Sequence, residues 1–116
     1  MARGKNALMA TAGFEALWEF SVRESRQAEF ESCYGPAGDW ARLFSQAPGF
    51  IGTELLRDRA DPLRYVTIDR WASIEDWRAF RAHFAAEYER LDHACETLTA
   101  REAPLGEYAP VGAAAR

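Results

Sequence analysis

The stretch from Pro62 to Phe84, PLRYVTIDRWASIEDWRAFRAHF, leaves this chain few ways to fold. It follows a turn at Asp61-Pro62, alternates as a strand from Tyr65 to Trp71, and then meets Ser73, with Asp76 three residues on. A serine followed at that spacing by an acid marks a helix N-terminus. The helix that follows sets Trp77, Phe80 and Phe84 along one side, at the spacing of a buried stripe. A strand handed directly to such a helix predicts a sheet with a helix laid across it. The density of rings predicts a pocket between the two layers, with Trp40 near its mouth.

The rest of the chain completes the pattern. Phe14 to Val22 alternates, with Phe14, Ala16, Trp18, Phe20 and Val22 on one face. Ser25 and Glu29, then Ala28, Phe30 and Tyr34, predict a first helix. It is interrupted at Gly35-Pro36-Ala37-Gly38 and resumes from Asp39 as N-cap before Trp40, Leu43 and Phe44. Pro48-Gly49 stops it, and Phe50 to Arg57 reads as a second strand. A long helix is expected from Ile74 to about Leu98, then a weaker strand from Thr99 to Tyr108, interrupted by Pro104.

The order β-α-β-β-α-β predicts an α+β, ferredoxin-like domain: an antiparallel sheet with its helices on one face. The other face of such a sheet should be mostly polar. Here Leu17 lies opposite the aromatic row of the first strand, Ile51 and Leu55 alternate with Phe50 and Leu56 on the second, and Tyr65 and Trp71 alternate with Val66 and Ile68 on the third, so both faces carry bulky apolar groups. In a chain of 116 residues the expected cover is a second copy, giving a sheet-to-sheet homodimer. The domain should run from 14 to 108, with a disordered leader over 1–13 and a flexible tail over 109–116.

Composition removes several classes of function. A net charge of −4 argues against a non-specific nucleic-acid or anionic-membrane binder, which needs a basic face. No apolar run reaches the roughly 18 residues of a membrane span. Cys33 and Cys95 lie far apart, and with only His83 and His93 they assemble no tetrahedral metal site from local spacing. Without a secretory core near the start, two reduced thiols in a cytoplasmic protein are expected. No phosphate cradle or nucleophile elbow is present.

The segment APGFIGTELLRDRADPLRYVTIDRWASIEDWRAF resembles the antibiotic biosynthesis monooxygenase family of the dimeric α/β-barrel superfamily. The matching signals are Pro48-Gly49, Asp61-Pro62, Asp69-Arg70-Trp71 and the following Ser73, and the resemblance spans Phe14 to Tyr108. It implies oxygenase chemistry, including cofactor-independent oxidation of polyketide aromatics and quinols, and in some members haem degradation. The haem-degrading type has a tryptophan and a histidine where this helix has Phe80 and Arg90, and an asparagine that the first strand lacks. The quinol-oxidising type has a histidine at the position of Phe80, and the nearest one here is His83. The resemblance therefore implies no haem and no other cofactor.

Two functions follow as expectations. One is a cofactor-independent monooxygenase of an electron-rich aromatic such as a polyketide phenol, anthrone or quinol. Trp18, Trp40, Phe44, Trp77, Phe80 and Phe84 would hold the rings. His83 or Tyr65 would handle the proton, since an unperturbed imidazole titrates near neutrality. Arg81, about 40° from Trp77 on the helical wheel, would face a developing oxyanion. The alternative is a non-catalytic small-ligand-binding or stress-associated dimer using the same pocket.

Overall fold

The computed structural model describes residues 13–112. Most of the expected leader and the last four residues of the tail lie outside the described residues. In chain order the elements are β1 (Phe14–Val22), α1 (Gln27–Tyr34), α2 (Asp39–Phe44), β2 (Phe50–Arg57), β3 (Arg64–Trp71), α3 (Ile74–His83), α4 (Ala85–Cys95), a 3-10 turn (Glu96–Leu98) and β4 (Thr99–Tyr108). The strands form one antiparallel sheet of order β2-β3-β1-β4. This is the ferredoxin-like α+β arrangement anticipated from the alternation of segments.

Register decides which residues face the helices. Phe14 pairs with Trp71, Ala16 with Asp69, Trp18 with Thr67 and Phe20 with Tyr65. All eight lie on the covered face. Phe14, Phe20, Tyr65 and Trp71 are buried with Phe30, Phe44, Phe80 and Leu98 in a single core. On β2 the register shifts at Ile51, so Phe50 joins Thr53 and Leu55 in packing toward the core while Ile51 stays 65% exposed. A one-residue bulge is what lets a strand change which parity faces inward.

Three local expectations are corrected. The long helix is two rods, because Phe84 leaves helical geometry (φ −113°, ψ 27°) while its N–H still bonds to Phe80. The N-cap of α2 is Gly38 rather than Asp39. There a Cβ would meet the Ser32 and Cys33 carbonyl oxygens at 2.5 and 2.7 Å, so only glycine permits the approach. Asp39 is instead the first helical residue and pairs with Arg42. Likewise α1 is entered through Arg26, which pairs with Glu29, and Ser25 takes a positive φ of 69°. Ser73 does cap α3 as anticipated, accepting from the Asp76 N–H at 3.1 Å. Pro104 is tolerated because β4 is an edge strand and its register with β1 shifts beside Trp18.

The face away from the helices carries half-buried Leu17, Val66 and Ile68, with Leu56 43% exposed. Ion pairs frame it. Arg70 bridges Glu15 (3.3 Å) and Glu54 (3.0 Å), and Arg64 bridges Glu19 (3.1 Å) and Asp58 (3.0 Å).

Candidate functional site

Small side chains at the centre of the sheet open a cavity. On β3 the inward residues run Tyr65, Thr67, Asp69, Trp71. Asp69 is flanked across the ladders by Ala16 and Thr53, neither large enough to fill the layer above it. The helices close over this low floor with rings: Trp40 of α2 meets Tyr88 of α4 edge-on at 4.9 Å. Between them lies a cavity of about 160 Å³. Its walls are Trp18 and Phe20 of β1, Tyr34 of α1, Trp40 and Phe44 of α2, and Tyr88 of α4. Its floor is Thr53, Thr67 and Asp69, and exposed Asp92 and Glu102 stand at its edge. An apolar cavity of about 150 Å³ holds a benzene ring. This one has room for one aromatic ring of a larger ligand.

The electrostatics of the floor centre on one carboxylate. Asp69 accepts a hydrogen bond from Thr53 Oγ1 at Oδ1 (2.7 Å). It has no ion pair among the described residues. Burial pushes its carboxyl up to about 6, against the Thr53 hydrogen bond, which pulls it down. Glu102 is also raised, by burial first and then by Asp92. Burial raises the Tyr34 and Tyr88 phenols, so both remain protonated donors at neutral pH. The hydroxyls of Tyr88 and Thr67 make no hydrogen bond among the described residues.

Of the residues singled out from the sequence, Trp18, Trp40 and Phe44 line the cavity. Trp77, Phe80 and Phe84 do not. They stack in series on one another beside Trp71, with ring centroids 5.8 Å (Trp77–Phe80) and 5.4 Å (Phe80–Phe84) apart, and Phe80 is fully buried in the core. The pocket thus sits under α2 and α4, not under the start of α3. His83 ends α3 in solvent. Tyr65 buries its ring in the core and donates to Glu31 (2.5 Å), away from the cavity. Arg81 pairs with neither Glu19 nor Asp69. Its guanidinium lies 3.9 Å from the Tyr88 ring centroid and 5.6 Å from that of Trp77, in cation–π contact.

Sequence reasoning passed over Asp69 as a functional group, although the signal was present. It shares strand parity with Tyr65 and Trp71, so alternation alone sends it inward. Cys33 and Cys95 are free. Burial pushes the Cys33 thiol up to about 12 and raises Cys95 as well, which leaves neither a ready nucleophile. Among the described residues no group of three or more His, Cys, Asp or Glu side chains could hold a metal.

The fold is thus a ferredoxin-like α+β scaffold with a ring-lined cavity between its sheet and its helices. Residues 14–90 match the model of the antibiotic biosynthesis monooxygenase family, and the chain belongs to that family. A mutant of SnoaB, a cofactor-independent oxygenase from Streptomyces nogalater, is similar at 25% identity and a TM-score of 0.72 over 86% of this chain and 94% of that one. SnoaB itself superposes at a TM-score of 0.66 with 24% identity, over 87% and 98%. Protein SO0527 from Shewanella oneidensis does so at 0.63 with 16% identity, over 86% and 92%. The last two likenesses speak to fold alone. No curated protein matches the chain significantly. No helix among the described residues is long and apolar enough to cross a membrane.

Proposed function

We propose that this protein is a cofactor-independent monooxygenase of an electron-rich aromatic, of the polyketide phenol, anthrone or quinol kind. The observation that carries the reading is the cavity: about 160 Å³, walled by six aromatic side chains and floored by two threonines and a carboxylate. Such walls hold a planar ligand by stacking and keep water from it. An aromatic of this class, once deprotonated, is itself the reductant of dioxygen. For an anthrone, one ring methylene and one dioxygen give one ring carbonyl and one water, with all four electrons drawn from the substrate. The protein's task is then to bind, to move protons and to exclude bulk water. Membership of the monooxygenase family and the likeness to SnoaB support this. Trp18, Trp40 and Phe44 are the residues proposed to hold the ring.

The sheet's free face supports the matching proposal of a homodimer, since Leu17, Leu56, Val66 and Ile68 present an apolar surface framed by paired charges. Free Cys33 and Cys95 are consistent with a reducing, cytoplasmic setting.

That none of His83, Tyr65 and Arg81 lines the cavity favours the second reading, a dimer that binds an aromatic ligand without oxidising it. One experiment separates the two. Purified protein is mixed with a panel of anaerobically reduced quinols and anthrones, and oxygen uptake is followed. The monooxygenase reading expects one dioxygen consumed per substrate, with one oxygen atom of isotopically labelled dioxygen in the product. Saturable binding with uptake no faster than in buffer would leave only the binding reading.

A further inference from the structure

We propose that Asp69 is the general base of this cavity, and that the substrate it serves is an aromatic with no anionic substituent. The proposal rests on the reading of the cavity as an oxygenase site. Its geometry is that of an aimed base. Asp69 projects from a central strand into the floor, Thr53 occupies Oδ1 at 2.7 Å, and Oδ2 has no protein partner among the described residues. A hydroxyl that fixes one carboxylate oxygen leaves the other oriented toward whatever fills the space above.

The charges around it are few. From α4 the cavity receives Tyr88 and Asp92, from β4 Glu102, and from α1 Tyr34. From α3 the only nearby charge among the described residues is Arg81, which lies against the Tyr88 ring and does not line the cavity. The sheet arginines Arg64, Arg70 and Arg101 are engaged with Glu19, Asp58, Glu15 and Glu54. Among the described residues no cation lines the cavity. A substrate carboxylate or phosphate would meet three acids and no counter-charge, whereas a neutral phenol or anthrone meets rings, hydroxyls and one base. Burial holds the Asp69 carboxyl up to about 6, close enough to neutrality to be both ionised and basic at working pH.

The protons then balance through one residue. Asp69 takes a proton from the anthrone methylene, and the electron pair stays on the substrate as the conjugated anion. That anion passes one electron to dioxygen, and the two radicals join in a C–O bond. The peroxide oxygen takes the proton back from Asp69, giving a hydroperoxide. Asp69 then removes the remaining C–H proton, the carbonyl forms as the O–O bond breaks, and the departing hydroxide takes that proton as water. The carboxylate is regenerated, and the unpartnered hydroxyls of Thr67 and Tyr88 are the donors available to the transient oxyanion.

The test is made first without oxygen. Wild type, Asp69→Asn and Thr53→Val are incubated anaerobically with 1,8-dihydroxyanthrone in heavy water, and methylene exchange is followed by NMR. Oxygen uptake with the same substrate follows. Wild type should accelerate exchange above buffer, with a rate that rises about tenfold per pH unit below pH 6 and then levels. Asp69→Asn should lose that limb and slow exchange by roughly 10²-fold or more while binding within about threefold of wild type. Thr53→Val should fold normally and move the limb to higher pH, because its lost hydrogen bond favoured the ionised carboxylate. A purely structural Asp69 would leave the limb in place. Exchange by Asp69→Asn equal to wild type overturns the proposal, as does the absence of accelerated exchange in wild type. Asp69-dependent exchange without oxygen uptake would keep the base and overturn the oxygenase reading.

Discussion

The two faces of the sheet use charge in opposite ways. On the free face Glu15, Glu19, Glu54 and Asp58 are each held by Arg64 or Arg70, and the apolar residues between them are only half covered. On the covered face aromatic rings wall a cavity, and the half-buried Asp69 on its floor has a single threonine hydroxyl for company. Exposed ion pairs add little to folding, typically below about 1 kcal/mol each. In the proposed dimer they would, however, set the register and self-complementarity of the contact. A carboxylate buried without a cation works against folding. Four acids are paired on the free face, whereas Asp69 and Glu102, both lining the cavity, have no cationic partner among the described residues.

The sharpest way to break this contrast is to put a charge at the centre of the free face. Ile68→Glu should weaken the proposed dimer at least ~1,000-fold, about 4 kcal/mol, because each copy would bury an unpaired carboxylate. Sedimentation at micromolar concentration should show a folded monomer, and a persistent dimer would place the contact elsewhere. On the covered face, Phe30→Ala should cost about 3–5 kcal/mol in urea unfolding, since Phe30 is 0% exposed and its ring meets Phe20, Tyr34 and Tyr65.

Asp69→Asn should act in the opposite direction. The folded carboxyl titrates at about 6 and the unfolded one at 3.8. Below about pH 4 both are protonated and the aspartate costs nothing. As pH rises from there to about 6 the unfolded chain releases its proton first, and wild-type stability falls. Above about pH 6 the loss is complete, up to about 3 kcal/mol. The asparagine variant should therefore unfold at higher urea than wild type at about pH 8 and at similar urea at about pH 3.5. Equal curves at both pH values would mean that the carboxylate is not isolated. The smallest effect belongs to His83→Ala, which should change stability by no more than about 0.5 kcal/mol and leave oxygen uptake within about twofold.

The architecture was legible because β1 and β3 alternate cleanly and Ser73 caps α3 where the chain turns from strand to helix. Asp69's inward direction was legible too, by parity with Tyr65 and Trp71. Its isolation was not, because that depends on where other charges go: Arg81 onto the Tyr88 ring, and Arg70 across the free face to Glu15 and Glu54. The position of the pocket was misjudged for a related reason. A wheel drawn through Ile74–Leu98 assumes one axis, and no glycine or proline marks the break at Phe84. Nor does local pattern reveal that Ala16, Thr53 and Thr67 become neighbours around Asp69. That follows only from pairing between strands.

The break at Phe84 has a mechanical consequence. Because α3 and α4 are separate rods, the side chains of α4 that wall the cavity and the α3 stack that braces the core sit on different helices. α3 is anchored by Phe80 among Phe44, Trp71 and Trp77, whereas α4 contributes Tyr88 and Asp92 to the cavity and buries only Cys95 outright. Swinging α4 outward would uncover Tyr88, Leu91 and Cys95 and part Tyr88 from Arg81, while Phe80 would keep its contacts with Phe44, Trp71 and Trp77. A planar guest entering by that route would require only this local opening, which costs less than global unfolding.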